Sequence, residues 1–171
     1  MTQHTTALGG LKVLDLSRVL AGPSCTQILA DLGAEVIKVE RPQIGDETRH
    51  WAPPNFSDGT AAYFATVNRN KKSVTIDISQ AQGQEIIRDL AREADILVEN
   101  FKVGGLKKYG LDYASLQQIN PRLIYASLTG FGQTGPDSGK PGYDYIIQGL
   151  SGLMSITGPS DGLPHKVGVA V

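Results

Sequence analysis

Strand-like and helix-like segments alternate from Leu11 onward, and this alternation predicts an α/β fold on a mainly parallel sheet. The abundance of turn residues, 20 Gly and 9 Pro, agrees with many tight strand–helix connections. A third observation is local. The apolar run Leu11-Lys-Val-Leu-Asp15 leads through a turn at Ala21-Gly22 into Pro23, which is placed to open a helix. Proline suits a first helical position because its missing N–H has no partner there and its φ is already near-helical.

The elements follow in order. Residues 11 to 16 read as a strand, 23 to 32 as a helix stopped by Gly33, and 35 to 40 as a second strand. Residues 42 to 60 hold three prolines and little periodicity, so a long loop is expected there. A short helix over 61 to 67 precedes an alternating strand, Ser73 to Ile78. Ser79 is placed to cap a helix over 80 to 93, with Ile86, Ile87 and Leu90 turned inward. Asp95 to Val98 is a short buried strand, and Val103 to Tyr109 a helical turn. Asp112 then caps a helix to Ile119, and 122 to 127 is a strand. A Gly/Pro-rich loop from 130 to 142 leads to a helix from Tyr143 to about Met154, and Lys166 to Val171 reads as a last strand.

A chain of 171 residues that is 40% hydrophobic and 19% charged can bury the core of one soluble domain. Its net charge of −1 argues against nucleic acid bound by bulk electrostatics. Cys25 is the single cysteine, which excludes an intramolecular disulfide and fits a reducing, cytoplasmic setting. Free cysteines are mostly buried, so Cys25 is expected to face the sheet. The start is polar, without the apolar core of a signal peptide, and no stretch approaches the ~20 apolar residues that span a bilayer. His4, His50 and His165 have no metal-ligand spacing with one another or with Cys25, and no metal is expected.

Glu40-Arg41 is the sharpest local signal of chemistry. An acid closing the second strand of a βαβ unit often accepts a ribose hydroxyl, and a neighbouring guanidinium suits phosphate or adenine. The G-x-G-x-x-G fingerprint of dinucleotide sites is nevertheless absent. Arg69, Lys71 and Lys72 put three cations in four residues, which suits a phosphate site or a charged sheet edge equally well. Asn100 and Phe101 follow a buried strand, where ligands of α/β proteins collect. Asn100 offers an amide donor and acceptor, and Phe101 an apolar wall. Tyr143 and Asp144 stand at a helix start.

The segment LDLSRVLAGPSCTQILADLGAEVIKVERP resembles the opening of the class III, CaiB/BaiF-type CoA-transferases. The likeness continues through GDETR (45 to 49), NRNKKSVTIDI (68 to 78), DILVENF (95 to 101), residues 120 to 135 and GYDYIIQGLSGLM (142 to 154). It implies a Rossmann-like parallel sheet with flanking helices, here the family's N-terminal CoA-binding domain over 1 to 171, and an interlocked homodimer in full-length members. It also implies transfer of CoA between an acyl-CoA and a small, perhaps dicarboxylic, acid, without nucleic-acid or membrane partners. By the same resemblance Leu20, Ala21, Arg41, Ile76, Ser79, Asn100, Phe101 and Lys108 are CoA contacts, and Tyr143 lines the acyl pocket. Racemase members of the superfamily carry His where Tyr143 stands, and Tyr is a poor base near neutral pH, so transfer is favoured over racemisation. The family's nucleophilic Asp is expected just after Val171, leaving no catalytic residue within the chain. On this reading the apolar end at Val171 marks a fragment or a truncated gene product.

Overall fold

A computed structural model describes residues 6 to 170. The chain forms two compact units, Met1–Leu128 and Thr129–Val171. In the first, five strands run parallel: β1 (Lys12–Asp15), β2 (Glu35–Glu40), β3 (Lys71–Thr75), β4 (Ile96–Glu99) and β5 (Ile124–Ser127). The spatial order β3-β2-β1-β4-β5 means that the chain winds outward through β2 and β3, then returns to place β4 on the other side of β1. This reversal between β1 and β4 opens a crevice beyond the strand ends, the usual ligand position in such sheets.

Helices α1 (Ala21–Asp31), α2 (Ala62–Thr66), α3 (Ala81–Glu93) and α4 (Tyr113–Leu116) connect the strands. Side-chain alternation divides the strands between two apolar cores. Val13, Val36 and Val98 pack with Ala30 and Ala34, while Leu14, Val39 and Leu97 pack with Ile87, Ala91 and Leu116. Burial on α1 falls at Gly22, Pro23, Thr26, Gln27 and Ala30, a single helical stripe. Cys25 lies off that stripe and is exposed, contrary to the expectation of a sheet-facing thiol. Pro23 is the third residue of α1 rather than the first, a position whose N–H also lacks an intrahelical partner.

On α3 the buried positions are Gly83, Ile87 and Ala91, and Ile86 is exposed instead of turned inward. Gly83 sets how closely α3 approaches the chain before it, because a Cβ there would lie 2.0 Å from the Asp77 carbonyl oxygen. Ser79 does not cap α3; its N–H and hydroxyl both bond to Asp77 Oδ1, and Gln80 takes the cap position. Strand β3 ends at Thr75, three residues before the predicted Ile78. The loop after β2 is partly ordered by a 3₁₀ turn, Glu47–His50, capped where Asp46 accepts from the Thr48 N–H.

The second unit contains α5 (Asp144–Leu150) and a 3₁₀ turn, Leu153–Ile156. Its Gly/Pro-rich loop is closed by Gly130 against Gly142, where a Cβ on Gly130 would sit 2.3 Å from the Gly142 Cα. The predicted strand from Lys166 is absent over residues 166 to 170, and Val171 lies outside the described residues. The Val167 N–H donates to Gln148 Oε1 at 2.8 Å, so a side chain takes the bond that a neighbouring strand would have taken.

Candidate functional site: a cationic cleft at the strand ends

The loop leaving β1 is held by side chains from three other strand ends and turns. The Ser17 N–H donates to Asp15 Oδ1 at 2.9 Å, and Lys38 Nζ donates to the Ser17 carbonyl at 2.9 Å. Asn100 accepts from the Arg18 N–H at 2.9 Å and donates to the Arg18 carbonyl at 2.7 Å. Val19 has φ of 70°, a left-handed conformation that costs a β-branched residue roughly 1–3 kcal/mol. Its N–H points at the Asp46 carboxylate, 3.3 Å away. A loop this heavily bonded keeps its shape before any ligand arrives.

Beneath it lies a buried ionic layer on the α1 side of the sheet. Lys38 Nζ is 2.9 Å from Asp46 Oδ2 and Lys71 Nζ is 3.1 Å from Asp15 Oδ2, with all four side chains at most 1% exposed. Lys71 also donates to the Pro23 carbonyl and to Asn68, and Thr26 donates to Asp15. Burial pushes the Lys71 ammonium below its usual range against the pull of Asp15. At Asp46 burial opposes ionisation, but the Lys38 charge and the Thr48 bonds outweigh it and hold the carboxyl low. Among the described residues no buried side-chain polar atom lacks a hydrogen-bond partner.

Glu40 belongs to the same framework. Arg49 clamps it with two bonds of 2.6 and 2.7 Å, and Ser73 and the Asp46 N–H donate as well. Burial alone would raise its pKa; these donors win and bring it down to about 2. The Arg49 guanidinium in turn lies 3.7 Å from the centroid of the Phe64 ring. Both Glu40 oxygens are therefore engaged within the chain, and the carboxylate braces the segment 45 to 49 instead of facing a ribose.

The cleft itself, about 1020 Å³, opens at the carboxyl ends of the strands. One wall carries Arg41 to Ile44 after β2 and Ile76 to Ser79 after β3. The other carries Phe101 to Gly105, Lys108 and Tyr109 after β4, with Arg18 beyond β1. Arg41, Lys102 and Lys108 enter no salt bridge among the described residues, whereas Arg69, Lys71 and Lys72 are each paired to a carboxylate. The basic run at 69 to 72 is thus spent on structure and lies outside the cleft lining. The structure brings Arg41, Ile76, Ser79, Phe101 and Lys108 together in the cleft. Leu20 and Ala21 sit at the start of α1 and are not among its lining residues. Asn100 is at the crevice with its amide oxygen and nitrogen both engaged by the Arg18 backbone. Tyr143 belongs to the second unit, where it precedes α5 and is 74% exposed.

Sequence reasoning missed Arg18, Lys102 and the brace formed by Lys38, Asp46 and Arg49. The segment Gly45-Asp-Glu-Thr-Arg49 was visible as a motif, but its role depends on Lys38 and Glu40, whose burial no local pattern reveals.

The fold and cleft define an α/β protein with a crevice lined by Arg18, Arg41, Lys102 and Lys108 at the switch point of a parallel sheet. The sequence pattern of CoA-transferase family III matches residues 8–171, and the chain belongs to that family. Succinate–glutarate CoA-transferase of Agrobacterium fabrum is 54% identical to it, over 100% of this chain and 44% of that protein. Succinyl-CoA:glutarate CoA-transferase of Mus musculus is 53% identical, over 96% of this chain and 37% of its own length. The crystal structure of a CaiB/BaiF family protein from Brucella suis matches with a TM-score of 0.92 and 56% identity, over 96% of this chain and 44% of that one. The chain therefore spans less than half the length of the relatives it matches. This agreement bears out the Rossmann-like parallel sheet expected from the sequence.

Proposed function

We propose that the cleft binds the CoA part of an acyl-CoA, and that the whole protein moves CoA between a thioester and a small dicarboxylic acid. The observation that carries this reading is the set of three cations, Arg41, Lys102 and Lys108, gathered in one cleft without salt-bridge partners among the described residues. Phosphate and pyrophosphate groups match such cations. Phe101, Ile76 and Ile78 supply apolar surface for a pantetheine arm. Ser79, Leu20 and Ala21 are proposed as further CoA contacts, Ser79 from the cleft lining and the other two from the start of α1. Asn100 serves by shaping the Arg18 loop. The relatives' names, which specify succinate and glutarate, support a dicarboxylic acceptor.

In this reading the attacking carboxylate lies beyond Val171, Tyr143 lines the acyl side, and the working form is a cytoplasmic homodimer. Covalent exchange requires that carboxylate, because binding alone forms no enzyme-linked intermediate. Among the described residues no helix is long and apolar enough to cross a membrane. Calorimetry of the chain with CoA and NAD tests the reading. CoA is expected to bind and NAD to bind more weakly; a preference for NAD would overturn the assignment.

A further inference from the structure

Arg18 is exposed, yet its backbone and that of both its neighbours are held by side chains. Asn100 holds its N–H and its carbonyl, Lys38 and Asp15 hold Ser17, and Asp46 holds the left-handed Val19. The side chain passes Phe101, with the guanidinium carbon 5.2 Å from the ring centroid. It ends on Glu47, where one nitrogen meets one carboxylate oxygen at 2.9 Å. Both partners are about half exposed, at 45% and 50%. A single-contact pair in that setting is weak and exchangeable, and a guanidinium has donors left for a two-pronged carboxylate contact.

We propose that Arg18 is a specificity-determining residue that receives the free distal carboxylate of a dicarboxylic acyl group, with Glu47 giving way to it. This rests on the CoA reading of the cleft. Three observations favour a carboxylate of the acyl group over a phosphate of CoA. The cleft already offers three other cations for phosphates. Arg18 is the cleft cation whose geometry is satisfied by a carboxylate. It also stands at the β1–β4 reversal beside Phe101 and Leu16, one strand inward from Arg41. The preorganised backbone lowers the ordering cost when the ligand arrives, leaving only the side chain to be placed.

The test compares CoA, butyryl-CoA and succinyl-CoA by calorimetry with the 171-residue chain and two variants. Butyryl and succinyl chains are of equal length and differ in the terminal carboxylate. Succinyl-CoA is expected to bind roughly tenfold more tightly than butyryl-CoA, a ratio worth about 1.4 kcal/mol. Arg18→Gln should erase that advantage, weakening succinyl-CoA about tenfold more than it weakens CoA or butyryl-CoA. Glu47→Gln should enlarge it, because the competing carboxylate is gone, an effect of opposite sign that general destabilisation would not produce. The inference is overturned if the unaltered chain shows no succinyl advantage, if the advantage survives Arg18→Gln, or if Arg18→Gln weakens all three ligands alike. Failure of CoA itself to bind would overturn the cleft assignment, and this inference with it.

Discussion

Two groups of basic side chains in this molecule look alike as charges and behave differently as structure. Arg69, Lys71 and Lys72 are adjacent in sequence, and each meets a carboxylate: Asp31 at 2.5 Å, Asp15 at 3.1 Å and Glu35 at 2.7 Å. Arg41, Lys102 and Lys108 are scattered over 68 sequence positions, yet they line one cleft and enter no salt bridge among the described residues. A dense run of charge sits close to acids of β1, β2 and α1 and is neutralised there. The cations left for a ligand follow β2 (Arg41) and β4 (Lys102 and Lys108). Although Asp77 shares the cleft and feels the Arg41 charge, none of the three cations closes an ion pair among the described residues.

The largest way to break the comparison is within the spent cluster. Lys71→Met leaves the buried Asp15 carboxylate without its ammonium, and removing one partner of a buried pair costs about 3–5 kcal/mol. Urea unfolding should show a loss of that order; a loss below about 1 kcal/mol would mean that Asp15 is served well enough by Thr26 and Ser17.

The brace beside the cleft should give the next largest effect, through pH. Glu40 titrates at about 2 in the folded chain, below its ordinary 4.5, so the unfolded chain takes up the proton first. Its contribution is complete above about pH 4.5 and is lost as pH falls toward 2, with Asp46 acting in the same direction. The loss should be roughly 2–3 kcal/mol once the part-exposed Arg49 is discounted for solvent screening. Urea midpoints measured from pH 5 downward should show this decline, and an Arg49→Gln variant should show a shallower one.

Binding sharpens the contrast at the cleft. Arg41→Ala should raise the dissociation constant for CoA about tenfold by removing a charge-assisted contact, with the urea midpoint unchanged. Equal affinity in the variant would make Arg41 a plain surface charge. The smallest effect belongs to Lys72, whose pair with Glu35 is solvent-exposed. Lys72→Ala should change neither CoA affinity nor the urea midpoint beyond error, and a drop in affinity would return the basic run to the binding site.

Much of the fold was legible because it rests on local periodicity. The strands at Lys12–Asp15, Glu35–Glu40 and Ile96–Glu99 stand within a residue or two of where alternation and apolar runs place them. The misreadings fall at caps, helix faces and the segment after α5. Ser79 is drawn to Asp77, Cys25 and Ile86 fall off the buried stripes of their helices, and the segment from Lys166 bonds to Gln148. The Ser79 bond is a local turn two residues long that competes with the cap. The exposure of Cys25 and Ile86 follows from which helix stripe faces the sheet, and Gln148 reaches the Val167 N–H from 19 residues away.

For the site, the sequence alone placed Arg41 and Asn100-Phe101 just past strand ends, because strand ends are read from short patterns, and the family resemblance added Lys108. Only the tertiary structure decided which of those groups are available. Burial makes an unpaired charge costly, so Lys38, Glu40 and Lys71 had to be matched inside the fold. Asn100 was drawn into shaping the Arg18 loop because the pairing of β1 with β4 brings the end of β4 beside the backbone leaving β1. Chain pairing across distances of 56 or 82 residues has no local signature, and it is this pairing that separates the braces of the cleft from the groups that face into it.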